Sequence, residues 1–424
     1  MATSTQTGGR DATTAVVPGR YALSIGDPEL PLPEGWDWTK LTDVARLESG
    51  HTPSRKETDY WDGGMPWIGI KDATQNHGRL IPDTLQHVSE LGIANSSARV
   101  LPEHTVCLSR TASVGYVVVM GQPMATSQDF VNWVCSDRID WRFLKYVLVA
   151  EREALLRYAH GTTHQTIYFP EAKAFHVALP PIEEQRAIAS VLGALEDKIE
   201  SNRRLADRME RVAETLFGHL LVANRENDWT HSTLKDLARY INGRNFTKGA
   251  SGHGRMVVRI ADLNSGPGNS TVYADVEAAK DNIARPGDIL FAWSGSLDVY
   301  RWPRDEALVN QHIFKVIPQG LPPWFVFFHL KRAMPVFRGI AADKATTMGH
   351  IRRQDLETVD VAIPSTDALD EANRSIEPLY GASLSLLAEI QHLVTIRDAL
   401  VPRVVSGRVR VEEWANGSAR PGVS

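Results

Sequence analysis

The amino-acid sequence contains two similar halves that keep one register across two long helical segments. Pro364 follows Pro180 by 184 residues, and the same separation relates a series of apolar positions. The chain is therefore expected to alternate globular region, long helix, globular region and long helix. The paired positions are Ile188 and Ala372, Leu192 and Ile376, Leu195 and Leu379, Ala206 and Ile390, Met209 and Leu393, Leu216 and Leu400, and Leu220 and Val404.

The globular regions also resemble each other where they begin. The run DWTHSTLKDLARYINGR from Asp228 is similar to DWTKLTDVARLESGH from Asp37. Gly243 follows Gly50 by 193 residues, and this separation falls to 184 at the helices. The second region has therefore lost residues, most simply from its loops, where related copies diverge first.

These observations predict an α+β fold with two similar mixed α/β domains, separated by two long antiparallel helices in a coiled-coil-like rod with pseudo-two-fold symmetry. The N-terminal residues are rich in Ser, Thr, Gly and Pro and lack a periodic apolar pattern, which is typical of a flexible segment. The predicted segments are a flexible leader over residues 1–34, a first domain over 35–180, a central helix over 181–222, a second domain over 228–363, a C-terminal helix over 367–410 and a flexible tail over 413–424.

Both long segments carry apolar residues at alternating steps of four and three, the spacing of a coiled-coil seam. A helix of about 35 residues spans about 50 Å, and the second helix would bury its seam best by returning along the first. The alternative is two ordinary amphipathic helices in separate cores. The predicted seam consists of Ile188, Leu192, Leu195, Ile199, Met209, Leu216, Ile376, Leu379, Leu386, Ile390, Leu393 and Leu400.

Two residues interrupt the seam pattern. Asn202 occupies a seam position, where it either fixes the register of the helix pair or faces solvent. Pro378 lacks a backbone donor, so it is expected to kink the second helix or to mark the residue near which that helix begins.

The composition is that of a globular protein without a strong overall attraction to nucleic acid. The chain has 424 residues, 43% of them hydrophobic, and a formal net charge of −5, so it is long enough for two or three domains. Any DNA-binding surface must therefore be local. Cys107 and Cys135 are interpreted as core thiols, because two cysteines cannot supply a disulfide framework or a four-ligand zinc site. No apolar run reaches about 20 residues, and we expect a cytoplasmic protein without a membrane span.

The chain lacks the strong sequence signatures of catalysis and metal binding. It has no G-x-x-x-x-G-K-[ST] phosphate loop, no H-E-x-x-H motif and no pair of C-x-x-C motifs. An Asn-Pro-Pro-Tyr or Asp-Pro-Pro-Tyr tetrapeptide, expected of an adenine aminomethyltransferase, is also missing. His160 and His164 are four residues apart, but they lie in a Gly- and Thr-rich run typical of a loop. We therefore expect a binding protein with no catalytic residue and no metal site.

Four runs resemble parts of the DNA-specificity subunits of Type I restriction-modification enzymes. LPPIEEQRAIASVLGALEDKIESNRRLADRMERVAETLF, over residues 179–217, resembles their central conserved helix, and IRDALVPRVVSGRVRV, over 396–411, resembles their closing helix. CLSRTASVG, over 107–115, and GTTHQTI, over 161–167, resemble recurrent motifs of their target-recognition domains. The resemblance extends from about residue 36 to about residue 412 and preserves the order of the parts.

This resemblance implies a non-catalytic subunit with two target-recognition domains, each of which reads one half of a bipartite double-stranded DNA target. The helices would set the gap between the half-sites and dock two methyltransferase subunits. It also implies a separate ATP-dependent restriction endonuclease subunit. S-adenosylmethionine, ATP and Mg²⁺ would be bound by these partners, and no cofactor by this chain.

The second half departs from the family pattern at the start of its helix and in one loop. Glu184 and Gln185 match the family's Glu-Gln pair, but the residues 184 positions later are Ala368 and Leu369. The loop FAWSGSLDV has Val299 where the first copy has Gly115. Equivalent docking and loop geometry in the second half are therefore in question, whereas the overall architecture is not.

Loops are the expected source of DNA contacts. Arg and Lys suit guanine and phosphate, Asn and Gln suit adenine, and Ser and Thr adapt to several partners. A solvated surface role is the alternative for each candidate, and Gln128 and Gln311 are instead expected to be buried structural amides. The candidates are Lys71, Arg110, Thr111, Ser113, Thr162, Thr163 and His164 in the first domain and Arg244, Asn245, Lys248, Arg259, Ser294, Ser296, Lys344, Thr346 and Thr347 in the second.

Two other classes of function are compatible with a duplicated sequence of this kind. The chain could be a coiled-coil scaffold that joins other proteins without DNA sequence specificity. It could also be a self-contained enzyme, although no combination of nucleophile, base and orienting group can be nominated. The bases read depend on loop geometry, which no pattern in the sequence supplies, and the sequence does not fix the length of the gap.

Overall fold

The computed structural model describes residues 16–160, 165–223, 229–268, 270–343 and 349–411. Its contacts divide the chain into two units, of which the first comprises Met1–Glu196 and Ile396–Ser424 and the second comprises Asp197–Thr395. Each unit therefore contains one domain together with parts of both long helices.

The first unit consists of short strands and short helices that lead into one long helix. Its strands are β1 (Val17–Pro18), β2 (Leu23–Ile25), β3 (Asp37–Lys40), β4 (Ala45–Ser49), β5 (Trp61–Ile68), β6 (Arg79–Ile81), β7 (Gln86–Val88), β8 (Val106–Ser109), β9 (Val117–Met120), β10 (Ala125–Thr126), β11 (Phe130–Cys135) and β12 (Phe175–Leu179). Its helices are α1 (Ile70–Gln75), α2 (Glu90–Ala94), α3 (Trp141–Ala150), α4 (Arg152–Tyr158), α5 (Phe169–Lys173) and the first part of α6 (Ile182–Ala223), with 3-10 turns at Leu41–Asp43 and Thr58–Tyr60.

The second unit has a similar series of elements after the end of α6. Its strands are β13 (Thr230–Thr233), β14 (Ala238–Asn242), β15 (Ala250–Val258), β16 (Val272–Ala274), β17 (Ile283–Ala284), β18 (Ile289–Ala292), β19 (Asp298–Arg301), β20 (Ala307–Val309), β21 (Ile313–Pro318) and β22 (Asp360–Ile363). Its helices are α7 (Ile260–Ser265), α8 (Pro323–Asp343) and most of α9 (Thr366–Val405), with 3-10 turns at Leu234–Leu237, Phe246–Gly249, Lys280–Asn282 and Arg353–Thr358.

The strand order of the two units confirms the predicted α+β class and the internal repeat. The central sheet has the order β4-β11-β8-β9-β6 in the first unit and β14-β21-β18-β19 in the second. A smaller sheet pairs β5 with β10 in parallel in the first unit, and β15 with β20 in parallel in the second. The strand before each long helix pairs with the first repeated strand of its domain, β12 with β3 and β22 with β13.

The long helices help to close the core of the first unit. Ile188 and Leu192 of α6 belong to one hydrophobic cluster with Leu400 of α9. Close to the start of α6, Glu184 Oε1 lies 3.5 Å from Nε of Arg410, a residue that follows α9. The two helices therefore run antiparallel within this unit.

The same arrangement closes the core of the second unit. Phe217 of α6 lies in one cluster with Ile376 of α9, and Lys198 Nζ lies 3.2 Å from Glu389 Oε1, so these parts of the helices are also antiparallel. The predicted seam residues are all at least half-buried. Ile188, Leu192, Ile199, Ile376, Ile390 and Leu400 are buried, and Leu195, Met209, Leu216, Leu379, Leu386 and Leu393 are half-buried.

The predicted flexible leader is wrong over part of its length. Val17–Pro18 forms β1 and Leu23–Ile25 forms β2, and Leu23 and Ile25 are buried. Strand β2 pairs with β12 across a long sequence separation. The three residues of β2 are too few to show a periodic apolar pattern. This segment is ordered by its pairing with β12.

Helix α9 spans Thr366–Val405 without interruption at Pro378, so it begins next to the predicted residue 367, and the alternative of a start near Pro378 is wrong. Ile376 and Tyr380 flank the proline and are buried in the second core, and their packing outweighs the missing backbone hydrogen bond. The helix ends before residue 410, and Gly407 then takes a φ of 67°, a conformation common just after helices.

Helix α9 also bears on the expectation that the chain has no apolar segment long enough to span a membrane. Among the described residues it is the one helix that is long and apolar enough to cross a membrane, judged by length and composition alone. Ile376, Ile390 and Val404 of this helix are buried in the structure, which gives its apolar content a role in the cores of the protein.

The structure excludes one of the two roles considered for Asn202. This residue is only 2% exposed, and within the described chain its Nδ2 has no hydrogen-bond partner. It therefore does not face solvent, and a role in fixing the register of the helices stays a prediction.

Lowering the pH is expected to destabilise both units, because each holds a histidine that folds in its neutral form. Burial lowers the pKa of His329 to about 3 and that of His77 to about 4, whereas a histidine in an unfolded chain titrates near 6.5. Below about pH 6.5 the unfolded chain binds more protons than the folded chain, so stability falls as the pH decreases toward these values. Thermal unfolding measured over this pH range tests the expectation.

His329→Phe supplies the control for this prediction. The His329 ring lies 4.5 Å from the Phe325 ring and 4.8 Å from the Phe217 ring, between centroids, so an aromatic replacement keeps apolar contacts and removes the titration. The variant should lose part of the decrease in Tm at low pH. An identical pH dependence in the variant and the original chain would contradict the assignment to His329.

Candidate nucleic-acid interface

Three segments of the first domain meet at the ends of its central strands. His51 N donates to Thr126 O at 2.9 Å and thereby joins the loop after β4 to the turn before β11. Arg110 N donates to Asp129 O at 2.7 Å, and Arg110 Nε donates to Gln128 O at 3.1 Å. These bonds attach the β8–β9 loop to the same turn. The first loop surface is defined as residues 50–57, 110–116 and 126–129.

A fourth segment, which follows α4, closes onto the first loop surface. His160 and Thr166 exchange two backbone hydrogen bonds of 2.9 Å, and Ile167 N donates to Arg110 O at 2.8 Å. Thr111 Oγ1 lies 2.9 Å from Thr166 Oγ1. The predicted DNA contacts Thr162, Thr163 and His164 fall between these anchor points and lie outside the described residues.

The Arg110 side chain is half-buried at the centre of this surface. Its guanidinium lies 5.4 Å from the centroid of the Phe169 ring, and burial lowers its pKa from the usual range, while Asp129 opposes that shift. Within the described part of the chain, hydrogen bonds engage Nε and leave both Nη groups without an acceptor. Because an arginine stays charged, the Nη groups can donate to an anion or to a base.

The other described candidates of the first domain differ in accessibility. Lys71 is exposed in the first turn of α1, where Asp72 Oδ2 accepts a hydrogen bond from Gly69 N at 2.9 Å. Ser113 is half-buried, and its backbone O accepts a 2.5 Å hydrogen bond from Ser109 Oγ. Lys71 is therefore open to a ligand, whereas Ser113 also maintains the shape of its loop.

The expectation for Gln128 and Gln311 is wrong, because neither residue is buried. Gln128 is exposed and Gln311 is half-exposed. The Gln128 side chain accepts a hydrogen bond from the Thr52 hydroxyl within the first loop surface. Both glutamines lie in the turn directly before a buried strand, β11 or β21, where a side chain can point outward. Their matching positions reflect a turn that the two halves share.

Sequence analysis missed an arginine of the first loop surface that stacks on tryptophan. The Arg55 guanidinium lies 3.6 Å from the centroid of the Trp61 ring and 5.0 Å from that of the Trp67 ring. The two indole rings are nearly perpendicular, with centroids 5.2 Å apart. The available signal was the presence of two tryptophans six residues apart that closely follow an arginine.

The second domain builds its loops on the same backbone framework. Gly243 N donates to Ile313 O at 3.0 Å, and Arg244 N donates to Val309 O at 3.0 Å. Ile351 N donates to Trp293 O at 2.8 Å, as Ile167 N does to Arg110 O in the first domain. The second loop surface is defined as residues 243–249, 293–298 and 309–312.

The predicted contacts of this second loop surface lie mainly on its first loop. Arg244, Asn245 and Lys248 are exposed, and Asn245 Oδ1 accepts a 2.6 Å hydrogen bond from Thr247 Oγ1. Ser294 is half-buried and Ser296 is exposed. The remaining predicted contacts Lys344, Thr346 and Thr347 lie outside the described residues.

The Arg259 side chain has partners within its own domain. Its Nε donates to Asp262 Oδ2 at 2.9 Å, and its Nη2 donates to Ser270 O at 2.5 Å. The Asp262 side chain is nearly buried, so this ion pair fixes the start of α7. A structural role therefore accounts for Arg259, and we leave it out of the interface proposed below.

Each loop surface begins with a glycine that allows two backbone segments to touch. A Cβ on Gly50 would lie 1.9 Å from Ser127 O, and a Cβ on Gly243 would lie 2.1 Å from Asn310 O. No side chain fits at either distance. The two domains therefore depend on the same close approach to position their first loops.

The described residues contain no group of three or more His, Cys, Asp or Glu side chains that could hold a metal ion. Burial raises the pKa of the Cys107 thiol and, to about 12, that of Cys135, so both thiols stay protonated near neutral pH. The described side chains of the two loop surfaces include hydrogen-bond donors, acceptors and positive charge.

Comparisons with known proteins agree on one family. A family model for the Type I restriction modification DNA specificity domain matches residues 33–211 and 226–377. The Type I restriction enzyme MjaIX specificity subunit of Methanocaldococcus jannaschii is 27% identical over 419 residues, which are 90% of this chain and 95% of that protein. The EcoprrI specificity subunit of Escherichia coli is 28% identical over 115 residues, which are 26% of this chain and 28% of that protein.

A solved structure shares the fold. The crystal structure of the Type I restriction-modification S subunit from M. genitalium matches with a TM-score of 0.52 and 15% sequence identity. The match covers 89% of this chain and 98% of that chain.

Proposed function

The chain belongs to the Type I restriction-modification DNA specificity family, and on that premise we propose that its two loop surfaces each read one half of a bipartite DNA target. Members of this family are specificity subunits with two target-recognition domains, and catalysis resides in their partner subunits. Such a subunit works in a complex with DNA and restriction-modification partners. A scaffold without DNA sequence specificity is not favoured.

The observation that carries this proposal is one backbone framework with two different sets of side chains. The framework is repeated in the bonds made by Ile167 and Ile351 and in the glycine contacts of Gly50 and Gly243. On it, the first domain presents Arg110 where the second presents Trp293. Similar surfaces with different donors and acceptors are suited to bind DNA in the same way and to read different bases.

The side chains of the surfaces have the chemistry for this task. Arginine can donate two hydrogen bonds to guanine. Asparagine can donate one hydrogen bond to adenine and accept another from it, and lysine neutralises phosphates. Arg110 would fill the first role, Asn245 the second and Lys248 the third, and Lys71 in α1, outside the first loop surface, would also neutralise a phosphate. Thr111, Ser294, Ser296 and Arg244 would add adaptable or phosphate contacts. The candidates outside the described residues, Thr162, Thr163, His164, Lys344, Thr346 and Thr347, belong to the same proposal.

We also propose the arrangement of the complex. The helices α6 and α9 would set the gap between the half-sites and dock two methyltransferase subunits, which would bind S-adenosylmethionine. A separate endonuclease subunit would use ATP and Mg²⁺ for cleavage. The paired seams within each unit support this role, because a continuous helix pair is a stiff spacer.

The experiment that tests the function maps modified adenines across the genome. Cells expressing this chain with its candidate methyltransferase are compared with cells that lack only this chain. A split, asymmetric motif that disappears with the chain is the expected result. Identical maps, with expression of both proteins verified, would refute the proposal.

Changing Arg110 to alanine is expected to weaken recognition of one half-site by about 1 to 3 kcal/mol, the contribution of a good bidentate base contact. Because Arg110 Nε also supports Gln128 O, Arg110→Lys is the companion variant that keeps the charge. Binding of the assembled complex to DNA with single substitutions in each half-site measures the effect. Unchanged affinity and base preference in both variants would remove Arg110 from the interface.

Inserting seven residues in α6 between Asn202 and Glu214, with a matching insertion in α9, is expected to change the gap and leave both half-sequences unaltered. Seven residues add about 10 Å of helix, which corresponds to about three base pairs of duplex. An insertion in α6 alone should disrupt assembly, because it breaks the pairing of the seams. Methylation mapping distinguishes the cases, and a changed half-sequence with an unchanged gap would contradict the proposal.

A further inference from the structure

The most specific feature of the first loop surface that the proposed function has not used is the stack of Arg55 on two tryptophans. The guanidinium lies 3.6 Å from the centroid of the Trp61 ring, a distance typical of direct face-to-face contact. Arg55 Nη2 also donates to Gln86 Oε1 at 2.9 Å. Within the described residues its other donors have no protein acceptor. The arginine is therefore held by its planar face, and most of its donor edge is open.

The tryptophans are attached to the loop that carries the arginine. Trp61 Nε1 donates to Ser54 O at 3.1 Å, and Trp67 Nε1 donates to His51 O at 3.1 Å. Both indole N–H groups thus bind backbone within four residues of Arg55. Loop and aromatic platform form one unit, which limits the rotamers that Arg55 can adopt.

This unit belongs to the first loop surface. His51 N bonds to Thr126 O, and the Thr52 hydroxyl contacts the Gln128 side chain. Gln128 O in turn accepts the bond from Arg110 Nε. Arg55 and Arg110 are therefore carried by loops that are anchored on the same turn, and Arg55 itself is exposed.

The second domain has a basic residue at the position of Arg55 but lacks the two tryptophans on which Arg55 stacks. Lys248 follows Arg55 by the same 193 residues that separate Gly50 and Gly243. The residues that follow Trp61 and Trp67 by 190, the separation of Asp72 and Asp262, are Ser251 and Val257. A lysine without a stacked ring offers a mobile point charge, whereas a stacked arginine offers two parallel donors.

We propose that Arg55 is a specificity-determining residue that reads a guanine in the half-site of the first domain, with Trp61 and Trp67 as positioning residues. This inference rests on the proposed function of the first loop surface. Guanine presents O6 and N7 as adjacent acceptors in the major groove, and arginine meets both with its edge. Stacking occupies the face of the guanidinium and leaves the edge free, so the two interactions are compatible. Preorganisation reduces the conformational entropy lost on binding.

The test compares binding of the assembled methyltransferase complex to its own target and to targets in which each guanine of the motif is replaced in turn by 7-deazaguanine. This replacement removes the N7 acceptor only. One guanine of the first half-site should then cost about 5- to 100-fold in affinity for the original chain. In Arg55→Ala the same replacement should cost less than about twofold, because the donors that contact N7 are gone.

Further variants distinguish the positioning of Arg55 by Trp61 from general effects on folding. Trp61→Leu should reduce the penalty at the same guanine, whereas Trp61→Phe, which keeps a ring, should retain more of it. Arg20→Ala is the matched control, because Arg20 is also an exposed arginine beside an aromatic ring, 5.5 Å from the centroid of Tyr21, and lies outside the loop surface. It should keep the full penalty. Thermal unfolding of each complex checks that the variants are folded.

The outcomes distinguish this inference from the proposed function. If the original chain specifies a split motif and the Arg55→Ala variant keeps the full 7-deazaguanine penalty at every position, the role of Arg55 is overturned and the proposed function stays intact. A first half-site that contains no G·C pair also overturns it. The absence of any split motif overturns both.

Discussion

Replacing Glu151 with glutamine is expected to destabilise the first unit by about 3 kcal/mol, because this carboxylate binds four consecutive backbone N–H groups. Glu151 is 1% exposed and lies between α3 and α4. Its Oε2 accepts from Arg20 N at 2.8 Å, and its Oε1 accepts from Tyr21, Ala22 and Leu23 N at 2.5, 2.7 and 3.2 Å. A glutamine side chain would turn an N–H group toward these donors and leave some of them unsatisfied.

The effect should extend beyond the four hydrogen bonds. The segment that Glu151 holds continues into β2, which pairs with β12 through residues such as Val177. Strand β12 leads directly into α6, so a displaced β2 exposes an edge of the sheet next to the helix. We therefore expect Glu151→Gln to lower the Tm and to reduce DNA methylation at elevated growth temperature.

Glu153→Gln is the matched control for this prediction. Glu153 lies two residues away, and its side chain is 66% exposed in a surface ion pair with Arg20. Pairs of this kind contribute about 0 to 1 kcal/mol, so this variant should unfold nearly as the original chain does. Urea unfolding of both variants measures the difference. Equal stability of Glu151→Gln and Glu153→Gln would show that the N-terminal segment does not depend on Glu151.

Replacing Gly50 or Gly243 with alanine is expected to abolish recognition of one half-site each, because the methyl group cannot fit where the two backbone segments touch. The separations of 1.9 and 2.1 Å to Ser127 O and Asn310 O require the loop or the turn to move. Overpacking of this kind costs about 1 to 3 kcal/mol or more. The movement would also displace the loop that carries Arg55 in the first domain or Lys248 in the second.

The paired design makes this prediction specific. Gly50→Ala should make the complex insensitive to base substitutions in one half-site, and Gly243→Ala should do the same for the other half-site. Gly64→Ala and Gly339→Ala serve as controls, since a Cβ on either has no neighbour within 4 Å. Binding to DNA substituted in one half at a time gives the readout. Loss of discrimination in the same half for both variants would contradict the assignment of one half-site to each domain.

The repeat and the helices could be predicted because their signal is periodic and local. Ile188, Leu192 and Ile376 recur at helical spacing, and all three are buried. The alternative of a later start at Pro378 was wrong because Ile376 and Tyr380 pack into the second core on both sides of the proline. Intrinsic helix preference yields to tertiary packing in such a case.

The interface could be predicted only in part. Arg110 and Arg244 lie on loop surfaces as the motifs indicated, but Arg259 bonds to Asp262, and Gln128 is exposed. Arg55 was missed because its distinguishing feature is a ring contact. Polar residues in loops have similar local sequences whether they bind a ligand, solvent or a neighbouring carboxylate, so the sequence does not separate these roles.

By itself, the sequence determined the duplication, the α+β class, the long helices and the family, because apolar spacing and motif order are encoded at short range and are preserved between the halves. The tertiary structure alone decided that Glu151 holds the backbone of Arg20, 131 residues away, and that Arg55 stacks on Trp61. Such contacts depend on the direction of side chains after distant strands have paired. That direction is fixed by packing and hydrogen bonding of the whole domain, which local patterns do not specify.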